Sequence, residues 1–219
     1  MSYPALTPGL ALDIDETLSV TGVFWIEQLI TSMGHPDTSL SAEDILHKHW
    51  YYGETIGHWD RDEVNRLMRL KCACNDEQRI LPLQENANHI VEKINRILPI
   101  SAYITARPDT VIEGTKDWLA KHGFPERPII ARPAAIPGEE GNNWKAGVLT
   151  ELYPVVRGIV DDNPNLISAL PADYDGTVFL FNHLSYDHDT TINVIPCKDW
   201  ESIHLEIKRM AHLFGILDS

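Results

Sequence analysis

Apolar positions along this chain follow two rhythms. Short, mostly apolar runs read as strands: Leu10-Ala11-Leu12, Ile100-Ser101-Ala102-Tyr103-Ile104, Ile129-Ile130-Ala131, Val155-Val156-Arg157-Gly158-Ile159-Val160 and Val178-Phe179-Leu180-Phe181. They are too short for helices and apolar on both sides of a pleat, which predicts strands buried on both faces. Between them the apolar residues recur at helical spacing. Ala87, Ile90, Val91 and Ile94 mark one helix, and another is expected from about Asp109 to His122. Asn143-Trp144-Lys145 opens a third over Ala146 to Leu152, and Trp200, Ile203, Ile207 and Met210 give the last its stripe. Strands alternating with helices predict an α/β fold, a doubly wound parallel sheet covered on both faces. Ala131 to Asn143, holding two Pro and two Gly, is the longest expected irregular stretch.

The alternation breaks once. Asp13 and Thr105, at the ends of the first two strand runs, are 92 residues apart, whereas a strand–helix–strand unit takes about 30. The intervening sequence is helical in pattern. Val23, Ile26, Leu29, Ile30 and Met33 share one helix face, and Gly34-His35-Pro36 stops that helix. Ser41-Ala42-Glu43-Asp44 and Asp60-Arg61-Asp62-Glu63 are helix-start signals ahead of Ile45, Leu46 and of Val64, Leu67, Met68. Leu81-Pro82-Leu83 reads as the return hinge. The expected layout is a core of residues 1–19 and 83–219 with a helical cap over 20–82.

A length of 219 residues suits one large domain, or a core with a small insert, and 43% hydrophobic content supplies a core. Lys plus Arg number 18 against 32 Asp plus Glu, a net charge of −14. Such a field repels polyanions and anionic membrane surfaces, so neither long nucleic acid nor a membrane is the expected partner. Met1 to Leu10 contains no Lys or Arg, and no apolar run approaches the ~18 residues of a membrane span. Cys72, Cys74 and Cys197 form no disulfide framework, and Cys72-Ala73-Cys74 reads as two thiols on a helix. The ten histidines show no zinc spacing. A cytoplasmic setting is expected.

The candidate chemistry sits at the strand ends. In Asp13-Ile14-Asp15-Glu16-Thr17 the two carboxylates, two residues apart at the end of a strand-like run, point the same way on a pleat, so both could face one substrate. One could attack phosphorus while the other handles the leaving group's proton. The second strand delivers Thr105-Ala106-Arg107, and Val155–Val160 ends in Asp161-Asp162-Asn163-Pro164. Reactive groups gather at the carboxyl ends of parallel strands. Asp161-Asp162-Asn163-Pro164 alone suits a plain turn; beside the other stations it suits a metal site. Lys145 at a helix start is disfavoured by the dipole, which argues for a task. Arg107 either binds substrate phosphate or pairs locally with Asp109. A phosphate dianion will not approach several carboxylates without a cation, and Mg²⁺ suits oxygen ligands.

This ordered set resembles the haloacid dehalogenase-like (HAD) superfamily, from Asp13 to about Val178. The resemblance implies Asp13 as nucleophile and Asp15 as general acid and then base. It implies Thr105 on the transferring phosphoryl group and Lys145 balancing charge between Asp13 and phosphate. Mg²⁺ would be held by Asp13, the Asp15 backbone carbonyl, Asp161 directly, and Asp162 as a second or indirect ligand. Asp15 favours a phosphatase over carbon–halogen cleavage, because halide leaves unprotonated. Glu16 departs from a frequent Gly, and Asp161-Asp162 lacks a leading Gly. Asp-Ile-Asp-Glu-Thr-Leu also resembles the signature of phosphoprotein phosphatases, which a cap would disfavour. Phe24, Trp25, Trp50, Tyr51, Tyr52 and Trp59 enrich the cap in rings that either stack a planar substrate or hold its helices together. Phe24 lies on the polar side of its helix, so it should be exposed or face the site's mouth, and Phe24 and Trp50 are the candidate substrate contacts. The expected reaction is hydrolysis of a small phosphate monoester, a nucleoside 5′-monophosphate first, on similarity of layout to deoxyribonucleotidase-like members. A phosphate-binding module without turnover is the alternative from another class. Oligomeric state is left open.

Overall fold

The structure, a computed structural model, describes residues 3–50 and 58–213. Its centre is a six-stranded sheet in the order β3-β2-β1-β4-β5-β6, parallel throughout. The strands are β1 (Gly9–Leu12), β2 (Ile100–Pro108), β3 (Ile129–Arg132), β4 (Val156–Asp161), β5 (Thr177–Phe181) and β6 (Asn193–Cys197). The period of two in each strand divides the core. Leu10, Leu12, Tyr103, Val160 and Phe179 face one side with Ile90, Ile94 and Trp118. Ala11, Ala102, Ile104, Ile159, Val178 and Leu180 face the other with Ala146, Leu149 and Leu166. Helices α5 (Ala87–Ile97), α6 (Ile112–Lys121) and α9 (Trp200–Leu213) serve the first face; α7 (Gly141–Leu152) and α8 (Pro164–Ala169) serve the second. Covering on both sides is why β1 and β5 are buried at every position.

β6 has no counterpart among the expected strands. It is a half-buried edge strand pairing with β5, and it carries Pro196, whose missing N–H is tolerated at an edge. It follows the irregular link 182–192, which is longer than what remains irregular of 131–143, because β3, Gly138–Glu140 and the first turn of α7 order the rest of that stretch.

The insertion contains α1 (Thr21–Met33), α2 (Ala42–Ile45), α3 (Arg61–Cys72) and α4 (Asn75–Arg79). Ser41 and Asp44 form a reciprocal capping box on α2, and the Asp60 carboxylate accepts from Glu63 N at the start of α3. Ile26, Leu29, Ile45, Leu46 and Trp59 make a small core of their own, and Trp59 Nε1 donates to Gly34 O at 2.8 Å. Trp25 belongs instead to the main core. α4 already lies against α6. A Cβ on Gly114 would fall 2.2 Å from the Asn75 carbonyl oxygen, so this approach requires glycine. Trp118 Nε1 donates to Leu81 O at 2.7 Å and fixes the return path. No helix among the described residues is long and apolar enough to cross a membrane.

Candidate active site

The chain winds outward from β1 in both directions, through β2 to β3 and through β4 to β6. The carboxyl end of β1 is therefore the switch point, where such sheets form a crevice. Asp13 follows β1, Asp161 ends β4, and Thr105 lies near the tip of β2. β1 stops at Leu12, so no pleat orients Asp13 and Asp15 alike; Ile14 O accepts from Leu18 N and Ser19 N, closing a tight turn that sets each carboxylate separately. Glu16 takes φ 56° in that turn, the left-handed region that glycine enters most easily. Its carboxylate accepts from Gly22 N, at the start of α1, whose N-cap Val20 offers no side-chain acceptor. Trp200 Nε1 donates to Thr17 O at 3.0 Å and anchors the turn to α9.

On one side of the crevice, Lys145 Nζ lies 2.6 Å from Asp161 Oδ2 and 3.0 Å from Asp13 Oδ1. The lysine is 2% exposed. It does not open its helix: α7 begins at Gly141, so Lys145 sits a turn inside and the dipole anomaly expected of it does not exist. Its position is explained by the two carboxylates, which hold its ammonium well above the ordinary lysine range despite burial. Oxygens of Asp13, Asp161 and Asp162 lie within 4.8 Å of one another. Asp161 Oδ1 also accepts from Asn163 N at 2.9 Å, whereas Asp162 Oδ1 receives a 3.4 Å contact from Thr17 Oγ1. His183 Nε2 stands 3.0 Å from Asp162 O and donates to it in the tautomer protonated there. Burial lifts the Asp13 carboxyl to about 7, Asp161 and Asp15 adding and Lys145 opposing. Burial, then Asp161 and Asp13, also lifts Asp162 well above the carboxylate range.

On the other side, Asp15 is held by Arg107. Nη2 donates to Oδ1 at 2.7 Å and Nε to Oδ2 at 3.0 Å, while Thr21 Oγ1 donates to Oδ1 at 2.8 Å. Burial would raise this carboxyl, but Arg107 and the hydrogen bonds outweigh it and keep it below its usual value. Arg107 thus pairs with Asp15, not with Asp109, whose Oδ1 accepts from Ala134 N. Thr105 is fully buried and its Oγ1 accepts from Arg107 N at 3.2 Å. Ser19, Thr21 and Thr115 join this network without having been singled out in the sequence; the usable signal was a polar residue at a helix position that burial claims, as at Thr115 in α6.

Phe24 is neither exposed nor free. It is half-buried, packs against the main core and meets Trp25 edge-on with ring centres 5.0 Å apart. The Trp50 side chain, Tyr51 and Tyr52 lie outside the described residues.

Three acidic side chains, two of them sharing one ammonium, fit a hard divalent cation: all the donors are oxygens, and burial together with the neighbouring carboxylates raises Asp13 and Asp162.

No protein-family model and no curated protein matches the sequence. Solved structures do match the fold. A HAD-superfamily hydrolase from Ehrlichia chaffeensis is 13% identical with TM-score 0.51, covering 95% of this chain and 99% of its own. A subfamily IA, variant 1 hydrolase of the superfamily from Geobacter sulfurreducens is 10% identical with TM-score 0.52, covering 92% and 98%. A dehalogenase with an intermediate complex is 10% identical with TM-score 0.51, covering 94% and 96%. The α/β fold of this chain, a six-stranded parallel sheet flanked by helices, accordingly matches that of these solved HAD-superfamily hydrolases.

Proposed function

We propose that this chain is a Mg²⁺-dependent phosphomonoester hydrolase working through an aspartyl-phosphate on Asp13. The observation that carries the reading is the Lys145 ammonium held between Asp13 and Asp161, with Asp162 beside them. The cation, held by Asp13, Asp161 and Asp162, would neutralise carboxylate and phosphate charge and favour the ionised Asp13. Asp162, with the freer oxygens, suits a direct ligand as well as Asp161 does. Lys145 steers the Asp13 oxygen and balances its charge as the phosphorus–oxygen bond forms. The ester bond then breaks and the departing alkoxide takes a proton from Asp15. In the second step Asp15 takes the proton of a water that attacks phosphorus, releasing inorganic phosphate and restoring Asp13. The first step needs Asp15 protonated and the second needs it ionised; its surroundings favour the second form.

Among the solved structures of similar fold is a dehalogenase. Asp15 favours phosphate ester here, since halide departs without a proton. The finer choice of a nucleoside 5′-monophosphate is supported by the aromatic content of the insertion and by the resemblance of layout to deoxyribonucleotidase-like members, while buried Trp25 and Trp59 are occupied in packing. The test is phosphate release from p-nitrophenyl phosphate with Mg²⁺ and with excess EDTA, followed by a metabolite panel. Release unchanged by EDTA removes the metal role. Sugar phosphates outrunning every nucleotide removes the nucleotide and leaves the phosphatase.

A further inference from the structure

Arg107 stands two residues beyond Thr105 at the tip of β2, where a guanidinium is well placed for a phosphate. Its hydrogen bonds assign it elsewhere. A guanidinium has five N–H groups in a fixed fork. Here Nε and one N–H of Nη2 grip the two Asp15 oxygens side-on, at 3.0 and 2.7 Å. Nη2 also donates to Ser19 Oγ, and Nη1 to Thr115 Oγ1, each at 3.2 Å. One N–H is left, and gripping two phosphate oxygens takes two. The side chain is 4% exposed, so solvent does not compete for it.

Asp15 is gripped from the insertion side too. Thr21, the first residue of α1, donates to Asp15 Oδ1 at 2.8 Å, and its hydroxyl meets Ser19 Oγ at 2.7 Å. Ser19 in turn donates to Ile14 O at 3.1 Å. Residues 19–21 are where the chain leaves the core for the insertion. One carboxylate therefore receives a donor fork from β2 and a hydroxyl from the first residue of the inserted helices.

We infer that Arg107 is a positioning residue for Asp15 and not a ligand of the substrate phosphate, and that Arg107 and Thr21 together tie the aim of Asp15 to the root of the helical insertion. The inference rests on the phosphatase reading above. Without the fork, the carboxylate keeps the Thr21 hydroxyl alone and its aim is no longer fixed.

The experiment compares wild type with Arg107→Gln, Arg107→Lys, Thr21→Val, Asp15→Asn and the Arg107→Gln/Asp15→Asn double variant. Ethyl phosphate and p-nitrophenyl phosphate are the substrates, and inorganic phosphate is the competing inhibitor. Arg107→Gln should lower kcat on ethyl phosphate about 10²-fold, and on p-nitrophenyl phosphate less than about tenfold, since nitrophenolate hardly needs a proton. The inhibition constant of phosphate should stay within about threefold, and the double variant should be little worse than Asp15→Asn, as for residues acting as one unit. Arg107→Lys should recover part of the loss, because one ammonium cannot grip both oxygens. Thr21→Val should show the same ester bias at about three- to tenfold. A phosphate inhibition constant raised tenfold or more with kcat kept would make Arg107 a phosphate ligand and overturn the inference. Equal losses on both esters would reduce it to a structural residue. If Arg107→Gln does not fold, Arg107→Lys and Thr21→Val decide by the presence or absence of the ester bias. A wild type that releases phosphate from no ester ends the phosphatase reading and this role with it; an active wild type without the bias ends this role alone.

Discussion

The Lys145 side of the crevice and its Arg107 side each take one carboxylate from the stretch Asp13–Asp15 and treat it oppositely. Asp13 shares a single ammonium with Asp161 and lies near Asp162, and burial lifts it to about 7. Asp15 receives a guanidinium fork and a threonine hydroxyl and is held below its ordinary value. Burial acts upward on both; the supply of donors decides the sign. A group starved of donors is ready for a cation, and one saturated with them is ready to be aimed.

Asp13→Asn should produce the largest effect. An amide cannot form the acyl-phosphate, so phosphate release should fall by more than about 10³-fold. Thermal unfolding should be preserved or improved, because an under-compensated buried charge is gone. Activity within tenfold of wild type would move the nucleophile elsewhere. Asp15→Asn should cost about 10²–10⁴-fold, most for alkyl esters, read from kcat on two leaving groups.

Lys145→Met strips the Asp13 side of its only lysine and should cost about 3–5 kcal/mol in urea unfolding, as breaking a buried pair does. A loss under about 1 kcal/mol would mean that the carboxyls simply take up protons.

The contrast also predicts a pH dependence. The carboxyl of Asp13 is raised from 3.8 to about 7, so the stability it contributes is complete below the lower value and is lost as pH rises through the higher. Asp15 is lowered, so its contribution is present above 3.8 and lost only in stronger acid. Between about pH 5 and about pH 8 the metal-free protein should lose a few degrees of Tm, at ~2–4 °C per kcal/mol. Asp13→Asn should flatten that slope, and Mg²⁺ should raise Tm more at the higher pH; a level profile in calorimetry would refute the starved half of the comparison. Phe24→Ala is the smallest test. If its ring meets a base, KM for nucleotides rises by roughly 5-fold or more and p-nitrophenyl phosphate is spared; if it only packs on Trp25, Tm falls and both substrates behave alike.

Much of the core was legible because its strands and helices are buried on regular periods. Leu10 and Leu12 part from Ala11, and Val160 parts from Ile159, as the pleat demands. β6 was not legible: an edge strand opening on Asn193 and carrying Pro196 has neither the apolar run nor the alternation that marks a strand. The first turn of α7 was hidden by Gly141, Asn142 and Asn143, poor helix formers; Gly141 is buried beside Ala106, and exposed Asn143 donates to the Glu140 carboxylate. That concealment made Lys145 look misplaced.

By itself the sequence determined the doubly wound sheet, the long helical insertion after the first strand, and which chemical groups stand at the strand ends, since these depend on local periodicity and order. Only the tertiary structure decided the partners. Asp15 and Arg107 are separated by 92 residues and meet because β1 and β2 are neighbours, while Lys145 reaches Asp13 and Asp161 because α7 lies across the sheet. Whether a carboxylate is starved or saturated depends on which distant donors the fold sets within about 3 Å, and sequence spacing carries no such distance.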